Sequence, residues 1–221
     1  MIGRILPEGV AAAELLDYPA DLKAHPGEEH LIEKSVEKRR RDFIGARHCA
    51  RLALEQLGEP PVAIGKGERG MPLFPRGVVG SLTHCDGYRA AALAHRLRWR
   101  SIGIDAEPHA ALPEGVLDSV SLAPERDWLK TAIPETGLHL DRLLFCAKEA
   151  TYKVWFPLTL RWLGFEEAHI TFTVDGGGSA GTFHSELLVP GQTNDGGAPL
   201  SSFDGRWLIS DGLILTAIVT G

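Results

Sequence analysis

The chain has 221 residues, 44% of them hydrophobic, which suffices for a real core in one domain or two small ones. Its 23 Lys and Arg against 29 Asp and Glu give a net charge of -6, which excludes a protein built as a whole to hold nucleic acid; any anion site is a local cluster. Cys49, Cys85 and Cys146 lie in no zinc spacing, no basic-then-apolar leader opens the sequence, and no apolar run approaches the ~20 residues that span a bilayer, so the expectation is a reduced, cytoplasmic protein with no membrane partner.

Residues 1–27 set Leu15, Leu16, Tyr18 and Leu22 among small and acidic residues and carry no usable motif. From Ser35 the spacing of Phe43, Ala50, Leu54 and Leu57 predicts a helix, stopped by Gly58 with Pro60 and Pro61 behind it. That helix carries Lys38, Arg39, Arg40, Arg41, Arg47, His48 and Arg51, with Arg40, Arg47 and Arg51 near one line and Arg39 to its side. A solvated basic face explains such a run. In an acidic protein a phosphate site explains it equally, because guanidinium groups grip phosphate oxygens in pairs. Lys66–Pro75 (KGERGMPLFP) reads as a Gly- and Pro-rich loop holding Lys66 and Arg69. Val78–Ala94 reads as a hairpin turning at Asp86-Gly87. Within it His84 and Cys85 point to opposite faces, which argues against a Cys/His nucleophile pair and leaves His84 as a structural or a phosphate-facing group.

Ser101–Pro108 (SIGIDAEP) alternates as a strand, with Ile102, Ile104 and Ala106 on one face and Gly103, Asp105 and Glu107 on the other. Two carboxylates about 6.6 Å apart then face the same way, either solvated at the strand end or sharing a cation. Residues 108–140 read as a connection with one or two short helices. Asp141–Lys153 reads as a helix with Leu143, Ala147, Ala150 and Val154 on its apolar stripe and Glu149 and Lys153 on the other side, among Phe145, Tyr152, Trp155 and Phe156. An exposed Glu-to-Lys pair accounts for Glu149 and Lys153 alone; the aromatic setting suggests a cleft wall. Glu149 would complete, with Asp105 and Glu107, an all-oxygen site suited to Mg²⁺. Residues 165–174, 181–189, 206–210 and 213–219 read as strands. Each half thus runs from a long helix into strands, which suggests two α+β subdomains with a ligand cleft between them.

Two of these segments together carry a family resemblance. The strand Gly103-Ile104-Asp105-Ala106-Glu107 and the helix Phe145–Lys153 (FCAKEATYK) complete both signatures of the Sfp-type 4′-phosphopantetheinyl transferases. The basic helix, the KGERG loop, GSLTHC and FPLTLRWLGFEEAHITF extend the likeness over roughly residues 35–172. Met71 and Arg69 depart from the residues usual in the family's loop. The resemblance implies a pseudo-dimeric α+β fold of two similar helix-plus-antiparallel-sheet subdomains, divided here as 1–104 and 105–221, with the active site between them. It implies a monomer that moves the phosphopantetheine arm of coenzyme A to a serine of acyl or peptidyl carrier proteins and releases 3′,5′-ADP. Carried over by residue, Asp105, Glu107 and Glu149 would hold Mg²⁺, with Mn²⁺ as the alternative, and Lys148 and Lys153 would face the phosphates. Arg39, Arg47 and His84 would hold the 3′-phosphate, and Lys66, Gly67, Glu68, Arg69 and Thr83 would line the nucleotide. Glu149 is the candidate base, with Glu107 or a metal-bound water as alternatives. A metal-dependent nuclease and a CoA-binding module without chemistry are the rival readings. The nuclease fits poorly with a Lys four residues after the Glu on a helix, and the module with an intact Glu149 and Lys153.

Overall fold

The alternation and the helical stripes read above become two layers of sheet with one long helix against each. The computed structural model describes residues 1–221. In the first half, β1 (Val10–Leu15), β4 (Val78–Cys85) and β5 (Tyr88–His95) form an antiparallel sheet in the order β1-β5-β4, covered by α1 (Glu37–Gln56). Small residues permit the close packing: Ala50 and Ala53 of α1 and Ala91 of β5 are fully buried in one cluster with Leu54 and Leu93. The β4–β5 hairpin turns at Asp86-Gly87, and Gly87 takes a φ of +74°, a region that costs glycine least. A two-residue ladder, β2 (Gly65–Lys66) with β3 (Pro72–Leu73), stands apart from both sheets.

In the second half, β6 (Ser101–Pro108), β7 (Ala168–Val174), β8 (Ala180–Gly191), β9 (Leu200–Ser210) and β10 (Leu213–Thr220) form a five-stranded antiparallel sheet in the order β6-β10-β9-β8-β7. Here α4 (Leu140–Thr159) lies against β6 and β10, after α2 (Val116–Val120) and α3 (Ala123–Thr136). The expected stripe Leu143, Ala147, Ala150 and Val154 is fully buried against this sheet. No helix is long and apolar enough to cross a membrane.

The fold is α+β in two subdomains, but the division expected after residue 104 falls inside a strand. Strand β6 pairs along its whole length with β10, from Ser101↔Thr220 to Pro108↔Leu213, and the 96–100 turn precedes it. Strand β1 is the other departure, since residues 1–27 offered no motif. The two halves meet where β4 runs beside β6 without a backbone ladder. Two hydroxyls bridge the gap: Ile104 N–H donates to Ser81 Oγ at 3.1 Å and Ala106 N–H to Thr83 Oγ1 at 3.0 Å. On their other side Ile102, Ile104 and Ala106 share a fully buried cluster with Ala90, Ala92 and Leu215, which welds the halves through an apolar layer.

Candidate active site

A cleft of about 350 Å³ opens at this junction. Its first wall comes from α1, where Arg39, Asp42, Phe43, Ala46 and Arg47 follow one another at spacings of three, one, three and one and so share a helix face. The line Arg40, Arg47, Arg51 is not that face: Arg40 turns back to Ile32 O at 3.1 Å, and Arg51 pairs with Glu28 at 2.6 Å. The i, i+3, i+4 spacing from Arg39 was the signal that would have found Asp42 and Phe43. Arg47 lies on the Phe43 ring, 3.4 Å from its centre, and its Nε donates to Ile64 O at 2.9 Å. Burial draws its pKa down to about 10, against the pull of Glu28, which leaves it charged at neutral pH.

His84 projects from β4 into the cleft while Cys85 packs on the opposite side. Desolvation lowers the imidazole pKa despite Asp42 and Asp105. Burial pushes the Cys49 and Cys85 thiols up to about 12, so neither supplies a thiolate. Lys66, Arg69, Gly70, Met71 and Pro72 bring the small hairpin to the rim, and the Arg69 guanidinium reaches across to lie 5.0 Å from the centre of the Trp162 ring.

The second wall is α4, which presents Glu149, Tyr152, Lys153, Phe156 and Pro157. Gly103 sets its distance from β6. A Cβ there would lie 2.1 Å from Ala150 O and 2.7 Å from Val154 N, so any side chain would lift the helix off the strand. With that seat, Lys153 Nζ reaches Asp105 Oδ1 at 2.6 Å and Ile104 O at 3.2 Å. Burial works against the ammonium, but Asp105 and Glu149 outweigh it and raise its pKa. Asp105 Oδ1 also accepts from Thr83 Oγ1 at 3.1 Å, whereas its Oδ2 is buried without a partner. Glu107 meets Arg142 Nη1 at 2.9 Å. Burial and then Asp105 raise the pKa of both Glu107 and Glu149, opposed by Arg142 and Lys153 respectively. The period-2 and period-3.6 readings thus place Asp105, Glu107, Glu149 and Lys153 in one region. Lys153 holds an oxygen of Asp105 and Arg142 one of Glu107.

Four residues expected at the ligand lie elsewhere. Lys148 is buried and points away from the cleft, paired with Glu125 at 2.8 Å and donating to Phe165 O and Ala168 O at 2.7 and 2.9 Å. All three of its donors are committed within the protein. Thr83 is buried in the seam between β4 and β6 rather than lining a nucleotide. Gly67 and Glu68 turn the hairpin without reaching the cleft wall. Of the aromatics placed around Glu149, Trp155 is core: its indole is fully buried and donates to Arg161 O at 2.9 Å. Glu125 went unnoticed because it stands a full helix away in sequence, with no motif around it.

Residues 27–94 match the 4′-phosphopantetheinyl transferase N-terminal domain, and residues 101–196 match the 4′-phosphopantetheinyl transferase superfamily. The gap between these matches coincides with the 96–100 turn. Over 99% of both chains the sequence is 80% identical to the 4′-phosphopantetheinyl transferase Npt of Nocardia iowensis. It is 55% identical to PptT of Mycobacterium tuberculosis over 99% of this chain and 97% of that one. With Svp of Streptomyces mobaraensis the identity is 46%, over 99% and 88% of the two chains. A cleft lined by Arg39, Arg47, Lys66, Arg69 and Lys153 together with Glu149, in a chain so similar to these enzymes from end to end, leads to one conclusion: the chain belongs to the Sfp-type 4′-phosphopantetheinyl transferases and is an enzyme of that class.

Proposed function

We propose that the enzyme moves the 4′-phosphopantetheine arm of coenzyme A to a serine hydroxyl of an acyl or peptidyl carrier protein, acting as a monomer, since one chain supplies both walls of the cleft. The observation that carries this reading is the gathering of cations from both walls around one cleft that also holds Glu149. Arg39, Arg47 and His84 stand on one side with Lys66 and Arg69 at the rim, and Glu149 and Lys153 stand on the other beside Asp105. In this reading the first group binds the 3′-phosphate and nucleotide of CoA, and a phosphate near His84 favours the protonated imidazole that burial disfavours. The pyrophosphate then lies toward Lys153.

A divalent metal fits the second wall on chemical grounds. Asp105 Oδ2 is a buried acceptor without a donor, and burial together with the charge of Asp105 raises the pKa of Glu107 and Glu149, a cost that a dication among the three would relieve. Asp105, Glu107 and Glu149 would hold Mg²⁺ or Mn²⁺, which when bound supplies positive charge to the pyrophosphate oxygens.

The chain's own part in the transfer is proton and charge management. The carrier serine oxygen forms a bond to the phosphorus of the pantetheine phosphate, the bond from that phosphorus to the bridging oxygen breaks, and 3′,5′-ADP leaves with the electron pair. The serine proton goes to Glu149, the carboxylate that lines the cleft one helical turn from Lys153. Lys153 holds its charge close to where the leaving group becomes more negative.

The test incubates purified protein with CoA, Mg²⁺ and an apo carrier protein and reads the carrier's mass. The wild type is expected to add one phosphopantetheinyl group. Glu149→Gln, which keeps the shape of the side chain, is expected to transfer about 10²–10⁴-fold more slowly while still binding CoA. Binding of CoA with no modification of any carrier by the wild type would leave a binding module; near wild-type transfer by Glu149→Gln would remove that residue from the mechanism.

A further inference from the structure

The cations at the rim sit on a piece of structure that cannot hold itself in place. The β2–β3 hairpin has a ladder of two residue pairs, joins neither sheet, and leaves Leu73 half exposed. A two-stranded ribbon of this size is marginal in water even when longer. Yet Lys66 and Arg69 must be fixed relative to Arg39 and His84 if one ligand is to meet all four. The support lies at the root of the hairpin, in the peptide groups on either side of Ile64, whose side chain is fully buried. The amide N–H of Ile64 donates to Glu28 Oε1 at 2.8 Å. Its carbonyl accepts from Arg47 Nε at 2.9 Å, and that of Gly65 from Arg47 Nη2 at 3.3 Å. One residue is therefore gripped from both sides, by a carboxylate and by a guanidinium that itself lines the cleft.

Glu28 is the unusual member of this grip. It is a fully buried carboxylate, outside every motif, in a segment with no regular structure beyond a short 3-10 turn. Its Oε1 serves both Ile64 N–H and Arg51 Nη1, at 2.6 Å, and its Oε2 has no partner. A buried acid is costly unless it is paired, so this one must hold a structure that depends on it. It also favours the charged state of Arg47, against burial. We propose that Glu28 is a positioning residue for the nucleotide end of the substrate: it anchors the root of the β2–β3 hairpin and so places Lys66 and Arg69 against the α1 wall. This rests on the reading of the cleft as a CoA site.

The probe is 3′,5′-ADP, the nucleotide half of CoA, titrated calorimetrically without metal into the whole chain. Glu28→Met fills the same space without an acceptor, and Glu28→Gln restores an acceptor for Ile64 N–H. The expected result is roughly tenfold weaker ADP binding in Glu28→Met and recovery to within about threefold in Glu28→Gln. At saturating CoA the transfer rate of both stays near wild type, so the change appears in KM and not in kcat. Lys66→Ala added to Glu28→Met should weaken binding no further than the weaker of the two single variants, because both act through the hairpin, whereas Arg39→Ala should add in full. Equal ADP affinity in the wild type and Glu28→Met, or full additivity with Lys66→Ala, would overturn the assignment. Hydrogen exchange of the wild type tests the same clamp without a substitution. The Ile64 amide should exchange more slowly than the hairpin amides beyond it, and an Ile64 amide that exchanges as fast as an open loop defeats the proposal even if Glu28→Met does not fold. A wild type that binds neither CoA nor 3′,5′-ADP would instead overturn the reading of the cleft, a different result from binding that ignores Glu28.

Discussion

Lys148 and Lys153 stand five residues apart on α4, which turns them well away from each other around the helix, and their surroundings give them unlike tasks. Lys153 faces the cleft and Asp105; Lys148 faces Glu125, which also accepts from Leu122 N–H at 2.6 Å and Ile170 N–H at 2.8 Å. The Lys148–Glu125 pair therefore ties the start of α3, the middle of α4 and the start of β7 together. Lys148→Met leaves Glu125 as a buried charge without its counter-ion, and breaking such a pair from one side costs about 3–5 kcal/mol. The expected outcome is a clear fall in Tm with CoA affinity within about twofold of wild type, checked by calorimetry of both; a weakened CoA complex at unchanged Tm would put Lys148 back at the phosphates. This residue marks the limit of what the sequence made legible. That Asp105 and Glu107 share a face, and that Glu149 and Lys153 share another, follows from local periodicity. Where a lysine's partner is a glutamate on another helix, nothing local announces it.

At the scale of elements, the end of α4 shows how a distant loop completes a helix. Beyond Thr159 the helix stops at Leu160, in a left-handed conformation with φ +53°, and its last carbonyls need donors. The 192–199 loop supplies them: Asn194 N–H bonds Leu158 O at 2.8 Å and Asn194 Nδ2 bonds Thr159 O at 2.7 Å. That loop is fastened by Arg100, whose Nε and Nη2 each meet an oxygen of Asp195 at 2.7 Å. The paired hydrogen bonds hold the Asp195 carboxyl well below the usual range. A depressed carboxyl pKa contributes stability that is complete above the unfolded value of about 3.9 and disappears as pH falls through the folded value. Asp195→Asn should therefore lower stability slightly at pH 7, by no more than about 1 kcal/mol for a surface pair, and the gap to wild type should begin to narrow below about pH 4. A gap that stays constant in melting curves down to pH 3 would assign the effect to something other than this ion pair. The elements themselves were legible unequally. Both long helices and the β4–β5 hairpin declared themselves through periodicity, a glycine stop and a turn pair. Strand β1, VAAAEL, did not, because alanines carry little strand preference and its place at the sheet edge comes from pairing with the equally alanine-rich β5. α3, expected as a short helix, is a 14-residue one fixed by Glu125 at its third position.

For the whole molecule the decisive contact is the seam between β4 and β6, where Ser81 and Thr83 accept the amides of Ile104 and Ala106. Thr83→Val keeps the shape but leaves Ala106 N–H buried without an acceptor, a loss of about 1–3 kcal/mol. It should lower Tm while leaving metal-free 3′,5′-ADP binding unchanged, whereas a residue lining the nucleotide would show the reverse. Two helix-plus-sheet halves were visible in the order of elements. The seam was not, because a serine and a threonine alternating on a strand look like any half-exposed surface until the facing strand is known.

The order β6-β10-β9-β8-β7 has a consequence for how the protein is made. Strand β6 leaves the ribosome first among the five, yet its ladder partner β10 leaves last. The sheet of the first half has all its strands once His95 has emerged, whereas the strand bearing Asp105 and Glu107 must wait, one edge open, for β10 to be synthesised. The β6–β10 ladder thus forms late, with a long loop to close before Asp105 and Glu107 are fixed. A chain stopped after Gly212 should retain slowly exchanging amides in α1, β4 and β5 and lose them in β6 and α4. Uniform loss across all five elements would show instead that the two halves fold as one cooperative unit, and that no part of the enzyme is in place until its last strand arrives.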